Sequence, residues 1–61
     1  MTSREQHILA CLAKGLATPL IAKGLFISPV TVRNHISNIL RKLDVHTKLA
    51  AVALAYGRHL V

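Results

Sequence analysis

Amide, hydroxyl and guanidinium side chains are concentrated between residues 30 and 41. At about 100° per residue of a helix, one side of this segment carries Val30, Asn34, Ser37, Asn38 and Arg41, flanked by Thr31, Arg33 and His35. No acid lies between Glu5 and Asp44, whereas an ordinary solvated helix face carries Glu–Lys pairs. Because asparagine can bind adenine through two hydrogen bonds and arginine can bind guanine in the same way, this face has the chemistry to read base edges and phosphates.

The overall charge also indicates a polyanionic partner. The 61 residues include eight Lys and Arg but two acids, so the formal net charge is +6. Such an imbalance favours nucleic acid first and an anionic membrane surface second. A globular domain that is basic for no functional reason is the remaining alternative. The cations are dispersed along the chain, so folding must assemble any basic patch.

Other functional classes find little support. The single cysteine, Cys11, excludes an internal disulfide and a multi-thiolate zinc site, and it fits a reducing, intracellular setting. The four histidines have no paired spacing, and the two carboxylates lie far apart in sequence. No apolar run approaches the roughly 18 residues needed to span a bilayer. We therefore predict one domain over residues 1–61 with no catalytic site, metal, cofactor or membrane partner.

Capping signals divide the chain into four helices. Thr2 and Glu5 have the spacing of a capping box, and Lys14-Gly15 can end the helix that follows. Thr18-Pro19 predicts the start of a short second helix ending at Gly24. Ser28-Pro29 predicts a third helix over about residues 29–43. Its apolar stripe consists of Val32, Ile36, Ile39, Leu40 and Leu43. Thr47 can cap a fourth helix to about Tyr56.

A short helix, a turn containing Gly24 and a longer helix form the arrangement of a helix-turn-helix. Recognition helices place their N-terminal residues against base edges, so we predict direct reading by Arg33 and Asn34, helped by Ser37 and Asn38. The residues predicted to bind phosphate are Thr18, Thr31, His35, Arg41, Lys42, Thr47 and Lys48. Val30 has two interpretations, which are partial burial against the preceding loop and contact with a thymine methyl group.

The motifs resemble the LuxR-type helix-turn-helix domain of bacterial response regulators and quorum-sensing-type transcription factors. The stretches that carry the resemblance are Thr2-Ser3-Arg4-Glu5, Ile21-Ala22-Lys23, the run from Ile27 to His35, and Ile39-Leu40-Arg41-Lys42-Leu43 with Val45 and residues 47–53. The resemblance covers essentially the whole chain. It implies an all-α, four-helix fold that binds double-stranded DNA to regulate transcription, and it aligns Arg33 and Asn34 with the family's base-reading positions.

The resemblance also implies a context. Such domains commonly lie at the C-terminus of a longer cytoplasmic regulator, behind a phosphoreceiver or ligand-sensing domain, and act at the bacterial nucleoid. We expect this segment to come from such a protein, with RNA polymerase as a further candidate partner. Three places depart from the family pattern: Thr18-Pro19-Leu20 stands for Asn-Lys-Glu, Asp44 for glycine and Ala50 for an acid.

The fourth helix is apolar on nearly every side, and a helix of that kind needs two partners. Geometry alone leaves open which side faces inward. The resemblance implies that Ala51, Val52 and Ala55 pack on the core, whereas Leu49, Ala53 and Tyr56 meet a second copy. A symmetric dimer would read an inverted repeat. The alternatives are a surface covered by a preceding domain, a cationic bundle at a membrane surface, and a pure protein-interaction module.

Overall fold

The computed structural model describes residues 1–61 and contains four helices and no strands. The helices are α1 (Ser3–Ala13), α2 (Thr18–Leu25), α3 (Pro29–Leu43) and α4 (Lys48–Gly57). The long α3 packs against each of the other three helices, and α4 also packs against α1. None of the four has both the length and the apolar character that crossing a membrane requires.

Three of the four predicted helix starts are confirmed. Thr2 and Glu5 form a complete capping box, in which the Glu5 amide donates to Thr2 Oγ1 at 3.1 Å. The Ser28 hydroxyl accepts from the Thr31 amide at 3.1 Å, and Thr47 Oγ1 accepts from the Ala50 amide at 3.0 Å. Because each hydroxyl satisfies an amide that has no partner within its helix, these residues fix where α1, α3 and α4 begin.

The prediction for α2 was wrong at both ends. Ala17, not Thr18, is the N-cap, and it makes no side-chain hydrogen bond. Thr18 is therefore the first helical residue and Pro19 the second, where proline's missing amide also has no helical partner. Gly24 lies inside α2, and the turn begins at Phe26, which has φ 58°. Leu20, counted among the apolar residues of this helix, is 54% exposed.

All four helices end in the same way. Each helix is followed by a residue in the left-handed conformation, and the next residue donates its amide to the carbonyl five positions earlier. The four donors are Leu16, Ile27, Val45 and Leu60. The left-handed residues are Gly15, Phe26, Asp44 and His59. These bonds satisfy carbonyls that the helix leaves free. The expectation that Asp44 adopts this conformation is confirmed, with φ 57°.

Phe26 offers a direct test of this turn. It is a bulky residue in a left-handed conformation, and its side chain is 95% exposed, so it gains little packing in return. We expect Phe26→Gly to raise the free energy of unfolding by about 1 kcal/mol relative to Phe26→Ala, because only glycine relieves the left-handed strain. Urea denaturation of both variants measures this difference. Equal stability of the two would show that the turn is not strained.

The core is aliphatic and small. Ile8, Leu9, Val32 and Ile39 have no more than 1% of their surface exposed, and α4 contributes Ala51 and Ala55. The half-buried residues that follow three of the helices, Leu16, Ile27 and Val45, pack against this core, as does Cys11. These contacts hold α3 with one face in the core and the other in solvent.

Candidate nucleic-acid interface

The two faces of α3 separate as the sequence predicted. Val32, Ile36 and Ile39 are buried. The exposed side carries polar residues that the sequence predicted to contact DNA, which are Arg33, Asn34, Ser37, Asn38 and Arg41. Val30 is 55% exposed on the same helix, which argues against burial under the preceding loop. The residues predicted to read bases, which we call the base-reading row, are Val30, Arg33, Asn34, Ser37 and Asn38.

Most groups of this row have no intramolecular partner. The one exception is a long hydrogen bond from Arg41 Nη1 to Asn38 Oδ1 at 3.5 Å. Thr31, half-buried beside the row, shares a hydrogen bond with the Ser28 hydroxyl at 2.9 Å. The Asn34 amide and the Arg33 guanidinium are therefore available to a ligand without breaking internal bonds.

Lys42 has a partner that sequence reasoning missed. Its Nζ donates to Glu5 Oε1 at 2.7 Å, joining the end of α3 to the start of α1. Glu5 is 3% exposed and also accepts the Thr2 amide at 2.9 Å. No local signal reveals a pair 37 residues apart. The phosphate role predicted for Lys42 would require its ammonium group to leave this carboxylate.

This ion pair makes stability depend on acid pH. The hydrogen bond from Lys42, followed by that from the Thr2 amide, lowers the pKa of Glu5 from 4.5 to about 2. A lowered carboxyl pKa stabilises the fold fully above about pH 4.5, and the contribution is lost as the pH falls through about 2. We expect the free energy of unfolding to decrease as the pH is lowered from about 4.5 to about 2, and Glu5→Gln to remove most of this pH dependence. Chemical denaturation at fixed ionic strength measures it.

Asp44→Asn is the matched control, since Asp44 is the only other acidic side chain and forms no ion pair. If the Asp44→Asn variant lost the acid dependence and the Glu5→Gln variant kept it, the assignment to Glu5 would be wrong.

The Glu5–Lys42 pair also affects the charge of the surface. Because Glu5 is covered and paired, Asp44 is the one exposed carboxylate side chain, and seven Lys and Arg have no ion-pair partner.

A small cleft lies where α2, α3 and α4 meet. It has a volume of about 260 Å³ and is lined by Thr18, Arg33, Ile36, Ser37 and Lys48. It brings together residues from the predicted base-reading and phosphate-binding sets. A second cleft, along the end of α3, is lined by Ser37, Leu40, Arg41, Asp44, Val45 and His46. Ser37 belongs to both clefts, so they adjoin along one flank of α3.

The remaining predicted residues lie around this flank. His35 is half-buried on α3, and Thr47 is exposed and occupied in capping α4. The structure therefore brings Thr18 and Lys48 together with α3, and it leaves Lys42 on the side of Glu5. His46, which was not predicted as a site residue, joins Arg41 in the second cleft.

The outer face of α4 is exposed and apolar. Leu49 is 80% exposed, Tyr56 is 57% exposed and Ala53 is exposed between them. The inner face carries Ala51 and Ala55, both fully buried, as predicted. Val52, the third residue predicted to face inward, is half-buried and lines a groove beside Leu49. An apolar groove of about 500 Å³ adjoins Leu49, with Leu12, Leu16, Ala17 and Val52 in its walls. The α4 stripe is defined as Leu49, Ala53 and Tyr56.

Comparison with known proteins identifies the family of the chain. The family model described as "Bacterial regulatory proteins, luxR family" matches residues 1–55. The chain is 48% identical over 59 residues to a nitrate/nitrite response regulator protein homolog of Haemophilus influenzae, covering 97% of this chain and 28% of that protein. It is 44% identical over 61 residues to the transcriptional regulatory protein LiaR of Bacillus subtilis, covering 100% of this chain and 29% of that protein.

Two solved structures have the same fold. The transcription factor GerE superposes with a TM-score of 0.91 at 37% identity, covering 98% of this chain and 90% of that one. The response regulator ChrA of a heme-sensing two-component system gives a TM-score of 0.93 at 38% identity, covering 98% of this chain and 30% of ChrA. The chain thus spans less than a third of the length of these two curated relatives, the Haemophilus influenzae homolog and LiaR. The predicted four-helix fold is confirmed.

Proposed function

The chain belongs to the luxR family of bacterial regulatory proteins, whose domains bind DNA and regulate transcription and are not enzymes, and we propose from this premise how it reads its operator. The recognition helix α3 enters the major groove, as in other helix-turn-helix proteins. The base-reading row faces the base edges. Asn34 and Arg33 supply two-pronged hydrogen bonds, Ser37 and Asn38 add single ones, and Val30 contacts a thymine methyl group.

One observation carries this proposal, which is the composition of the exposed face of α3. Its amide, hydroxyl and guanidinium groups project from a helix whose opposite face is anchored in the core. No carboxylate lies on this helix, so no side chain on it repels a phosphate. A rigid helix presenting unpartnered hydrogen-bonding groups suits direct reading of a duplex.

Phosphate contacts would position this helix. We propose that they come from Thr18, Thr31, His35, Arg41, Thr47 and Lys48, with Lys42 joining them only if it leaves Glu5. These groups carry no sequence information themselves but fix the register of the protein on the duplex. Because several phosphates are neutralised, the affinity should fall steeply with salt.

The α4 stripe supports a dimer. We propose that two copies meet through Leu49, Ala53 and Tyr56 about a twofold axis and bind an inverted repeat. The chain would serve as the DNA-binding part of a longer cytoplasmic response regulator of a two-component system. RNA polymerase is a further candidate partner, which the domain would approach once bound beside a promoter.

Amide chemical-shift mapping tests the interface. The labelled chain is titrated with mixed-sequence duplex DNA at about 0.1 M salt, where weak surface attraction is already screened. Shifts concentrated between Ser28 and Lys42 and around Thr18 are expected. A uniform drift over the whole basic surface, or a response to anionic vesicles and not to DNA, would contradict the recognition helix.

A further inference from the structure

The cleft between α2, α3 and α4 gathers positive charge without a counterion. Arg33 and Lys48 both line its volume of about 260 Å³, and neither takes part in an ion pair. No carboxylate lies in its walls, where Thr18 and Ser37 supply hydroxyl groups. Two like charges lining one concave site make its potential positive, so an anion is attracted to it.

Helix starts add to the same field. Thr18 is the first residue of α2 and Lys48 the first of α4, so the positive ends of two helices meet at this cleft. Ala17 gives α2 no side-chain cap, and the Thr47 hydroxyl and carbonyl accept only the Ala50 and Ala51 amides of α4. The Lys48 and Leu49 amides donate to no acceptor within the chain. Amides of this kind bind anions when a cationic pocket already concentrates them.

We infer that this cleft binds a single backbone phosphate of the DNA half-site on which the domain sits. The inference rests on the proposed function and deepens it. Thr18 and Lys48 hold the same phosphate instead of two different ones. Because Arg33 and Ser37 line the cleft and also belong to the base-reading row, this phosphate sets the register of α3 in the groove.

A matched pair of variants tests the cleft. The duplex is an operator selected from a random-sequence pool with the wild-type chain. Lys48→Gln removes one cation from the cleft, and Lys14→Gln makes the same change at an exposed residue that lines no cleft. We expect Lys48→Gln to weaken binding about tenfold or more, equally for operator and mixed-sequence DNA, since it removes a charged hydrogen bond. Its salt slope should fall by about 1.

Neutral phosphate analogues then locate the contact. Each phosphate of the operator is replaced in turn by an uncharged methylphosphonate. One position in each half-site is expected at which the replacement weakens the wild-type chain but has no further effect on Lys48→Gln. Thr18→Val should also cause no further loss of affinity when the methylphosphonate stands at that position, because Thr18 and Lys48 share one phosphate.

Two results would overturn the inference while leaving the proposed function intact. One is operator binding in which Lys48→Gln and Lys14→Gln behave alike. The other is loss of the Thr18 and Lys48 effects at two different phosphates of the same half-site. Failure of the proposed function looks different, because the wild-type chain would then select no operator from the pool.

Discussion

Replacement of Ala53 by glutamate is expected to reduce affinity for an inverted-repeat operator about a hundredfold or more, while binding to a single half-site changes little. The reason is the loss of a second, linked binding event, which can add two to four orders of magnitude to affinity without new contacts. Band-shift titrations on duplexes with one and two half-sites, together with analytical ultracentrifugation, measure both quantities.

The geometry of α4 explains why this position is sensitive. Ala53 lies between Leu49 and Tyr56 on the exposed stripe, and a small residue at that point allows two helices to approach closely. A twofold interface uses the same surface patch of both copies, so one substitution introduces two like charges into it. The opposite face of α4 is buried through Ala51 and Ala55, so the fold itself should survive the change.

Ala53→Lys is the matched control. It also places like charges at the interface, but its positive charge adds to the attraction for DNA. If both variants lose the higher affinity for two half-sites over one, dimerisation is the cause. If the wild-type chain sediments as a monomer with and without operator, the dimer is wrong. The exposed stripe would then fit the alternative of a surface covered by a preceding domain.

Much of the fold could be predicted because its helix ends are specified locally. Thr2, Ser28 and Thr47 cap helices through bonds to residues only three positions away. The bounds of α3 were predicted correctly because Ser28-Pro29 starts the helix and Asp44 ends it. Its inward and outward faces followed from the same helical spacing, which the core then satisfied.

The errors arose where local signals compete. Thr18-Pro19 looked like a cap followed by proline, but an extended Ala17 leaves Thr18 inside the helix. Gly24 looked like the turn residue, yet the left-handed position is Phe26, because the amide of Ile27 returns to the Ala22 carbonyl. A strained aromatic residue in a turn is a choice that propensity alone does not predict.

For the site, the sequence predicted which residues are exposed but not which of them lie together. The sequence identified which side of α3 faces solvent, but it could not show that Arg33 and Lys48 share one cleft. The Glu5–Lys42 pair was hidden for the same reason, since only packing of α1 against α3 brings the two together. The sequence prediction therefore assigned Lys42 to phosphate, whereas the folded chain gives it a carboxylate.

Asn34→Ala is expected to relax discrimination at one base pair of each half-site by about 1–3 kcal/mol, roughly fivefold to 150-fold, because it removes a two-pronged contact to a base edge. Binding to mixed-sequence DNA and its salt slope should stay close to those of the wild type, since no phosphate contact is lost. Alanine is the better helix former at an exposed position, so the fold is not at risk. Selection of operators with the variant, compared position by position with the wild type, measures the change.

Val30→Ala separates hydrogen-bond reading from apolar reading on the same helix. Val30 is 55% exposed beside the polar row, so its removal should reduce only the preference for one A·T pair and by less than Asn34→Ala does. If Val30→Ala left discrimination between operators untouched while Asn34→Ala abolished it, the thymine contact would be wrong, and Val30 would make no contact with a base. If Asn34→Ala instead weakened all sequences equally, Asn34 would be a phosphate contact, and base reading would have to come from elsewhere on α3.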